Sequence, residues 1–325
     1  SFQMSKNWES QKELIEKTKV EKVSLPNGEE YAYRVFNANG EKTLVCLHGN
    51  MFDSRSFAPL ALHEKFANVK IVSVDLRGYG DSTYKNRCTS HSDWANDVVE
   101  FCKALSIEKP VVMGWSTAGG VVAQLACDHP DFLKSAFLMD SINFSGYHVT
   151  RMDANGKPTR YYIDNNEEME AMFKNFLGML YNPDKAGAHA VMATMVMKEG
   201  MPAVDSDEYA MWHDAASKQH ELCRTDALMN NVRFNITPAL NPLTQQTSKD
   251  MRKVTVPIHV FHGAHDNVCA VARTRALVAL ANAENWAPLA PPIELHEHDG
   301  GHFPLTEALD QFAAQVHDAL VKVTA

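Results

Sequence analysis

Short, almost uninterrupted apolar runs recur along this chain, and they constrain its fold more than any other feature. They lie at residues 43–47, 69–74, 110–113, 136–139, 257–261 and 293–295. Such runs are typical of parallel strands whose two faces are both covered. Helical periodicities separate them, and a Pro-Asn-Gly turn at 26–28 joins two β-rich segments into a hairpin. The pattern predicts an α/β fold with a mostly parallel, doubly wound sheet whose antiparallel edge is this hairpin.

One long segment interrupts the alternation. Residues 143–252 contain Met-rich helical patterns at 167–180, 188–198 and 208–229 and no convincing strand. A helical insertion of this size between two late strands of one sheet is interpreted as a cap. The sequence therefore predicts a core formed by residues 1–142 and 253–325, with a helical cap at 143–252.

Composition excludes several classes of function. The net charge is −9, and acidic and basic residues are interspersed, so no basic surface is expected for nucleic acid or anionic lipid. No apolar stretch has the length of a membrane span. Six scattered cysteines without a C-x-x-C pair favour a reduced chain. Together with the polar, charged first residues, this predicts a cytoplasmic protein whose oligomeric state stays open.

The segment around Ser116 carries the first chemical signal. Gly114-Trp115-Ser116-Thr117-Ala118 follows a predicted strand and precedes a small-residue helix, which is the setting of the G-x-S-x-G nucleophile elbow. Small residues two before and two after the serine are required because the turn brings the backbones almost into contact. Ala118 departs from the glycine pattern but is still small. The alternative is a serine that only caps a buried helix.

A base and an acid for Ser116 are expected later in the chain, in the order Ser, Asp, His. His302 follows the last predicted strand and a glycine loop, and Asp266 follows the strand at 257–261. An acid there would hold the imidazole tautomer and stabilise the imidazolium. Asp140, at the end of an earlier strand, is the competing acid. His262 and His265 are interpreted as loop residues.

A metal cluster is the other way to explain the histidines near the C-terminus. His296, His298, Asp299 and His302 lie close together in sequence, and histidines two apart on a strand share a face. No complementary ligand set is evident elsewhere, and a triad explains His302 without a metal. The sequence thus predicts neither a metal nor a cofactor.

Together these motifs resemble the α/β-hydrolase superfamily over essentially the whole chain. The resemblance implies a serine hydrolase whose oxyanion hole is formed by the backbone N–H groups of Asn50 and Thr117. Asn50 belongs to Leu47-His48-Gly49-Asn50-Met51, where His48 is expected to be structural. The segment from Asp75 to Ser82 is also typical of these hydrolases and is assigned no chemistry.

Within the superfamily the chain resembles intracellular short-chain polyhydroxyalkanoate depolymerases of bacteria. The resemblance lies in the Trp-containing elbow, in residues 47–50 and 75–84, and in the segments 146–147, 153–158 and 235–236. It implies cleavage of carboxylic esters, with 3-hydroxyalkanoate oligoesters as candidate substrates and an acyl-enzyme on Ser116.

Two alternatives to an esterase stay open. The first is a lactonase or carbon–carbon hydrolase with the same triad, and the second is a non-catalytic ligand-binding protein of the same fold. Epoxide hydrolases and haloalkane dehalogenases are disfavoured, because they use Asp where this chain has Ser116. The Met and aromatic residues of the cap are expected mostly to be core, with a minority lining a pocket: Met169, Met172, Phe173, Phe176, Met179, Met192, Met195 and Trp212.

Overall fold

A central sheet of eight strands organises the protein. The computed structural model describes residues 4–153, 155, 157–198 and 200–325. In spatial order the strands are β1-β2-β4-β3-β5-β6-β9-β10, antiparallel at the β1–β2 and β2–β4 pairs and parallel elsewhere. Their bounds are β1 Glu21–Ser24, β2 Glu30–Phe36, β3 Lys42–Leu47, β4 Val69–Val74, β5 Val111–Trp115, β6 Ser135–Met139, β9 Ile258–Gly263 and β10 Glu294–His298. The predicted mostly parallel sheet with a hairpin edge is confirmed.

Helices cover both faces of this sheet. Strand β3 alternates between two apolar clusters, with Leu44 and Cys46 in one and Val45 and Leu47 in the other. Burial on both faces explains why the strand is an apolar run without alternation in polarity. The helices outside the predicted cap are α1 Met4–Lys17, α2 Ala58–Leu62, α3 His91–Ala104, α4 Thr117–Asp128, α9 Val271–Ala283, α10 Pro304–Glu307 and α11 Leu309–Thr324.

The segment at 143–252, called the cap segment below, lies between β6 and β9 in the chain. It contains the helices α5 Asn166–Leu180, α6 Lys185–Met192, α7 Asp207–Lys218 and α8 Glu221–Arg233. It also contains an antiparallel pair, β7 Thr150–Met152 and β8 Pro158–Tyr162, so the expectation of no strand here is wrong. These strands are short and partly exposed, and they lack the apolar runs that identify the core strands. Ala154 and Gly156, within the 153–158 motif, lie outside the described residues.

A break between α7 and α8 divides the helix predicted at 208–229. Gln219 has extended backbone, and the His220 amide donates to the Gly78 carbonyl at 2.8 Å instead of continuing the helix. The His220 imidazole then accepts from the Leu222 amide at the start of α8. The break thereby fastens the cap segment to the loop after β4. Whether residues 143–252 form a separate unit stays a prediction.

The six cysteines are buried free thiols: Cys46, Cys88, Cys102, Cys127, Cys223 and Cys269. Burial raises the pKa of the Cys102 thiol to about 12 and that of the Cys46 thiol further. Among the described helices, none combines the length and the apolar character that a bilayer crossing demands.

Candidate active site

The turn between β5 and α4 holds Ser116 in a strained conformation. Ser116 has φ 57° and ψ −117°, a region that residues with a Cβ rarely adopt. Its amide donates to the Met139 carbonyl at 2.9 Å, and its carbonyl accepts from the Gly119 amide at 3.0 Å. A Cβ on Gly114 would lie 2.2 Å from the Ala118 carbonyl oxygen, which explains the glycine there. The geometry is that of a nucleophile elbow.

Ser116, His302 and Asp266 come together at the carboxyl ends of β5, β10 and β9. The Ser116 Oγ lies 3.0 Å from His302 Nε2, and His302 Nδ1 lies 2.8 Å from Asp266 Oδ2. A carboxylate only accepts, so the Nδ1 proton belongs to His302 and Nε2 is free to accept from the serine hydroxyl. All three side chains needed for nucleophilic catalysis are therefore within hydrogen-bonding distance in the required order.

Asp266 is held ionised by its surroundings. Its Oδ1 accepts from the amides of Val268 and Cys269, both at 2.8 Å. Burial opposes the charge, but the imidazoles of His302 and His262 outweigh it and keep the pKa of Asp266 well below its usual range. The ion pair with Asp266 also affects His302. Burial lowers the pKa of His302, but the Asp266 carboxylate outweighs this and raises the pKa above 6.5.

His262 lies on β9, directly beside Asp266. Its Nε2 lies 3.3 Å from Asp266 Oδ2 and 2.5 Å from the Cys269 carbonyl oxygen, and the ring is fully buried. Both neighbours are acceptors, so Nε2 carries a proton. The interpretation of His262 as a loop residue is wrong, because it lies on β9, where its Nε2–H donates to the Cys269 carbonyl and lies 3.3 Å from the candidate acid. His265, in contrast, is exposed.

The competing acid, Asp140, pairs with groups other than His302. It follows β6 with φ 42°, accepts from the Gly263 amide at 2.7 Å, and lies 3.3 Å from His298 Nε2. Asp140 therefore supports the first residues of the Asp266 loop and pairs with a different histidine. Its side chain is fully buried, so this pairing is a part of the core beneath the site.

The loop after β3 approaches Ser116 closely. A Cβ on Gly49 would lie 3.1 Å from the Trp115 ring, and Asn50 lines the same cavity as Ser116 and Thr117. Thr117 is the first residue of α4, so its N–H has no intrahelical partner. Asn50 and Thr117 therefore line the same cavity as Ser116, and their role as an oxyanion hole stays a prediction.

The segments after β4 and after α7 anchor this loop. Asn50 Oδ1 accepts from the Tyr79 hydroxyl at 2.9 Å and from Gln219 Nε2 at 3.0 Å. His48 Nε2 accepts from the Leu76 amide at 3.1 Å, and burial lowers the pKa of His48 to about 4. His48 is therefore a structural residue, as predicted. Tyr79 belongs to the Asp75–Ser82 segment, which was assigned no chemistry, whereas Gln219 was not identified from sequence because it lies in no motif.

Trp115 contacts the backbone of the candidate base, His302. Its indole Nε1 donates to the His302 carbonyl oxygen at 2.9 Å, and its ring packs at 5.2 Å from Phe303. The residue next to the candidate nucleophile therefore holds the backbone of the candidate base. No pattern in the sequence connects residues 187 positions apart, so only the structure could identify this contact.

A cavity of about 510 Å³ opens onto Ser116 and His302. Its size is that of a small-molecule site. The expectation that only a minority of the cap Met and aromatic residues line it is wrong. Six of the eight do so, the exceptions being Met169 and Trp212: Met172, Phe173, Phe176, Met179, Met192 and Met195. Asn175, Asn231 and Asn267 add polar groups.

The candidate metal cluster at 296–302 does not assemble. His298 turns to Asp140 and His302 to Asp266. His296 lies 3.1 Å from His259, with Glu294 beside them, and these three offer donor atoms within 4.8 Å of one another. This group lies on β9 and β10, away from the cavity around Ser116. Two further groups of possible ligands overlap Asp266.

Comparison with known proteins places these features in a family. Residues 44–315 match the Alpha/beta hydrolase family. An uncharacterized hydrolase of Saccharomyces cerevisiae is 23% identical over 91% of this chain and 94% of its own length. Three further curated relatives, 28%, 32% and 31% identical, are matched over only 32%, 30% and 39% of their own lengths.

Solved structures share the fold at low sequence identity. A putative aryl esterase from Burkholderia cenocepacia superposes with a TM-score of 0.68 at 17% identity, covering 94% of this chain and 99% of that one. The enol-lactonase from Burkholderia xenovorans LB400 gives 0.67 at 18%, over 93% and 100%. With the family match spanning most of the sequence, the chain belongs to the alpha/beta hydrolase family.

Proposed function

We propose that this hydrolase-fold protein cleaves carboxylic esters through an acyl-enzyme on Ser116. The observation that carries the proposal is the hydrogen-bonded series from Ser116 Oγ to His302 and on to Asp266, at 3.0 and 2.8 Å, facing an apolar cavity. A serine hydroxyl is a weak nucleophile unless a neighbouring base accepts its proton, and His302 lies where that base must be.

The mechanism follows from the positions of these groups. His302 Nε2 removes the hydroxyl proton as Ser116 Oγ attacks the ester carbonyl, and Asp266 stabilises the resulting imidazolium. The amides of Asn50 and Thr117 bind the oxyanion of the tetrahedral intermediate. Its collapse expels the alcohol, which takes the proton from His302 and leaves an acyl-serine. Water activated by His302 then releases the carboxylic acid and restores Ser116.

The cavity supports small, largely apolar substrates. Flexible methionine side chains from α5 and α6 face Ser116 and can adapt to acyl chains of different shape. A volume of about 510 Å³ suits a monomeric or short oligomeric ester better than a polymer. Oligoesters of 3-hydroxyalkanoates remain candidate substrates on the resemblance to depolymerases.

Lactones need the same chemistry, since a lactone is an internal ester. The enol-lactonase mentioned above shares the fold only, so a lactone series belongs in the substrate test beside the open-chain esters. Carbon–carbon hydrolysis by the same triad is tested by a ring-cleavage product in that series.

The test combines a fluorophosphonate probe with p-nitrophenyl acetate, butyrate and octanoate, 3-hydroxybutyrate oligomers and lactones. Wild type is expected to label and turn over, and Ser116→Ala to do neither. Ser217→Ala is the matched control, because Ser217 is an exposed serine on α7. A folded wild type that neither labels nor hydrolyses any ester would contradict the proposal and favour a ligand-binding role.

A further inference from the structure

One carboxylate joins the cap segment to the loop that carries His302. Glu307, the last residue of α10, accepts from the Gly301 amide at 2.7 Å and the Phe303 amide at 3.1 Å through Oε2. Its other oxygen, Oε1, accepts from the Met197 amide at 2.6 Å. Two donors thus flank His302 directly, and the third belongs to the cap segment.

Tight packing keeps Glu307 in this position. A Cβ on Gly200 would lie 2.5 Å from Glu307 Cγ, and one on Gly301 would lie 3.0 Å from its Oε2. The glycines of both loops therefore make room for the glutamate. The three amides offset part of its burial, and burial still leaves the pKa of Glu307 above its usual value.

The position of Met197 connects Glu307 to the cavity. Met195, two residues before Met197, lines the cavity, as does Phe303 on the other side of His302. A shift of the cap segment near Met197 would pull on the same side chain that holds Gly301 and Phe303. Hydrogen bonds between a charged acceptor and amides are about twice as strong as neutral ones, so this connection is stiff.

We propose that Glu307 is a positioning residue that couples the cap segment at Met197 to the His302 loop. The inference rests on the proposed esterase function for its effect on rate, but the coupling itself is independent of activity. Glu307 touches no reacting atom. It acts through the backbone on both sides of His302, and so sets the reach of the imidazole toward Ser116.

Glu307→Gln tests the proposal, because an amide offers only one accepting oxygen. If that oxygen serves Gly301 and Phe303, the NH₂ group faces the Met197 amide and the cap contact is lost; if it serves Met197, the His302 loop is released. Either orientation is expected to lower kcat about 10- to 100-fold, since misplacement by about 1 Å can cost about 100-fold. KM is expected to rise with it. Glu41→Gln, at an exposed glutamate before β3, is the control.

Hydrogen exchange of the backbone amides gives a second readout that needs no catalysis. In Glu307→Gln, peptides containing Met197 and those containing Gly301 and Phe303 are expected to exchange faster together. Glu307→Asp, which keeps the charge but withdraws it by one methylene, replaces Glu307→Gln should that variant not fold. It is expected to show the same paired increase.

The outcomes separate the proposal from its alternatives. A lower melting temperature with kcat, KM and exchange at both segments unchanged would reduce Glu307 to a structural residue and overturn the coupling. Faster exchange at only one segment would also overturn it. An inactive wild type contradicts the esterase proposal alone, because the exchange experiment still decides whether Glu307 joins the two segments.

Discussion

Replacing Asp266 by Asn is expected to disable the protein through the orientation of a single amide. The two backbone donors on Oδ1, from Val268 and Cys269 at 2.8 Å each, cannot face an NH₂ group. The Asn oxygen must therefore take that side, and the NH₂ group must face His302 Nδ1. His302 then accepts at Nδ1 and carries its proton on Nε2, where it cannot take the proton of Ser116.

The expected loss in kcat is about 10⁴-fold, the size found when a triad histidine is held in the wrong tautomer. At about 1.36 kcal/mol per factor of ten, this corresponds to about 5.4 kcal/mol in the barrier. The assay is p-nitrophenyl butyrate hydrolysis across pH. In wild type, activity requires neutral His302, and its pKa is raised above 6.5, so kcat/KM should rise with a midpoint above pH 6.5. Residual activity of the variant should have a lower midpoint.

Asp140→Asn is the matched control. The Asn oxygen can keep the bond to the Gly263 N–H, whereas its NH₂ group faces the Nε2–H of His298, whose Nδ1 accepts from the Gly300 amide. Only the contact with His298 is lost, and His302 keeps Asp266, so kcat is expected to stay within about tenfold of wild type. The reverse result, with Asp266→Asn active and Asp140→Asn inactive, would refute the reasoning and make Asp140 the acid.

Three further predictions concern backbone support, the elbow and acid stability. Trp115→Phe removes the bond to the His302 carbonyl and should lower kcat about 2- to 13-fold, the equivalent of about 0.5–1.5 kcal/mol. Trp286→Phe, which loses a bond to Glu284 just after α9, should leave kcat unchanged, and equal rates in both variants would contradict this prediction. Gly114→Ala places a Cβ 2.2 Å from the Ala118 carbonyl oxygen and should abolish fluorophosphonate labelling. Gly178→Ala, at an exposed helical position with open space around it, should instead raise the free energy of unfolding in urea by about 0.5–1 kcal/mol. His91 is buried, which lowers its pKa to about 4, so between the unfolded value of about 6.5 and pH 4 the unfolded state binds a proton that the folded state refuses. As the pH is lowered through that window, this residue should therefore reduce the free energy of unfolding by up to about 1.4 kcal/mol per pH unit. The melting temperature of His91→Phe should depend less on pH than that of wild type, and an unchanged dependence would contradict this prediction.

The core of the fold was readable from sequence because its strands are buried on both faces. Because β3 is buried on both sides, its sequence is an apolar run. Once the strands are identified, the expected order Ser, Asp, His selects Ser116, Asp266 and His302 as candidates. Each of these residues follows a strand, and the carboxyl ends of parallel strands meet at one edge of the sheet, so the local sequence predicts that they lie close together. Their catalytic roles stay predictions until the variants above are measured.

Contacts between distant segments were not readable in the same way. Trp115 reaches His302 across 187 positions, and Gln219 reaches Asn50 across 169. Each depends on where whole elements pack, and no residue pattern within one segment reports it. Glu307 was missed for a related reason, because it accepts only from backbone amides, which leave no signature in the sequence. The β7–β8 pair was missed because its strands have no continuous apolar run.

The separation of Ser116 from His302 has a consequence for how the protein is made. Their hydrogen bond spans 186 residues, and β10, which leads to His302, is the edge strand of the sheet and the last strand in the chain. During synthesis the elbow and the first six strands leave the ribosome long before β10 and His302 do. Long-range parallel pairing is slow, so docking of β10 is expected to come late in folding. Serine reactivity would then appear only with that last step, and probe labelling would time the completion of the sheet.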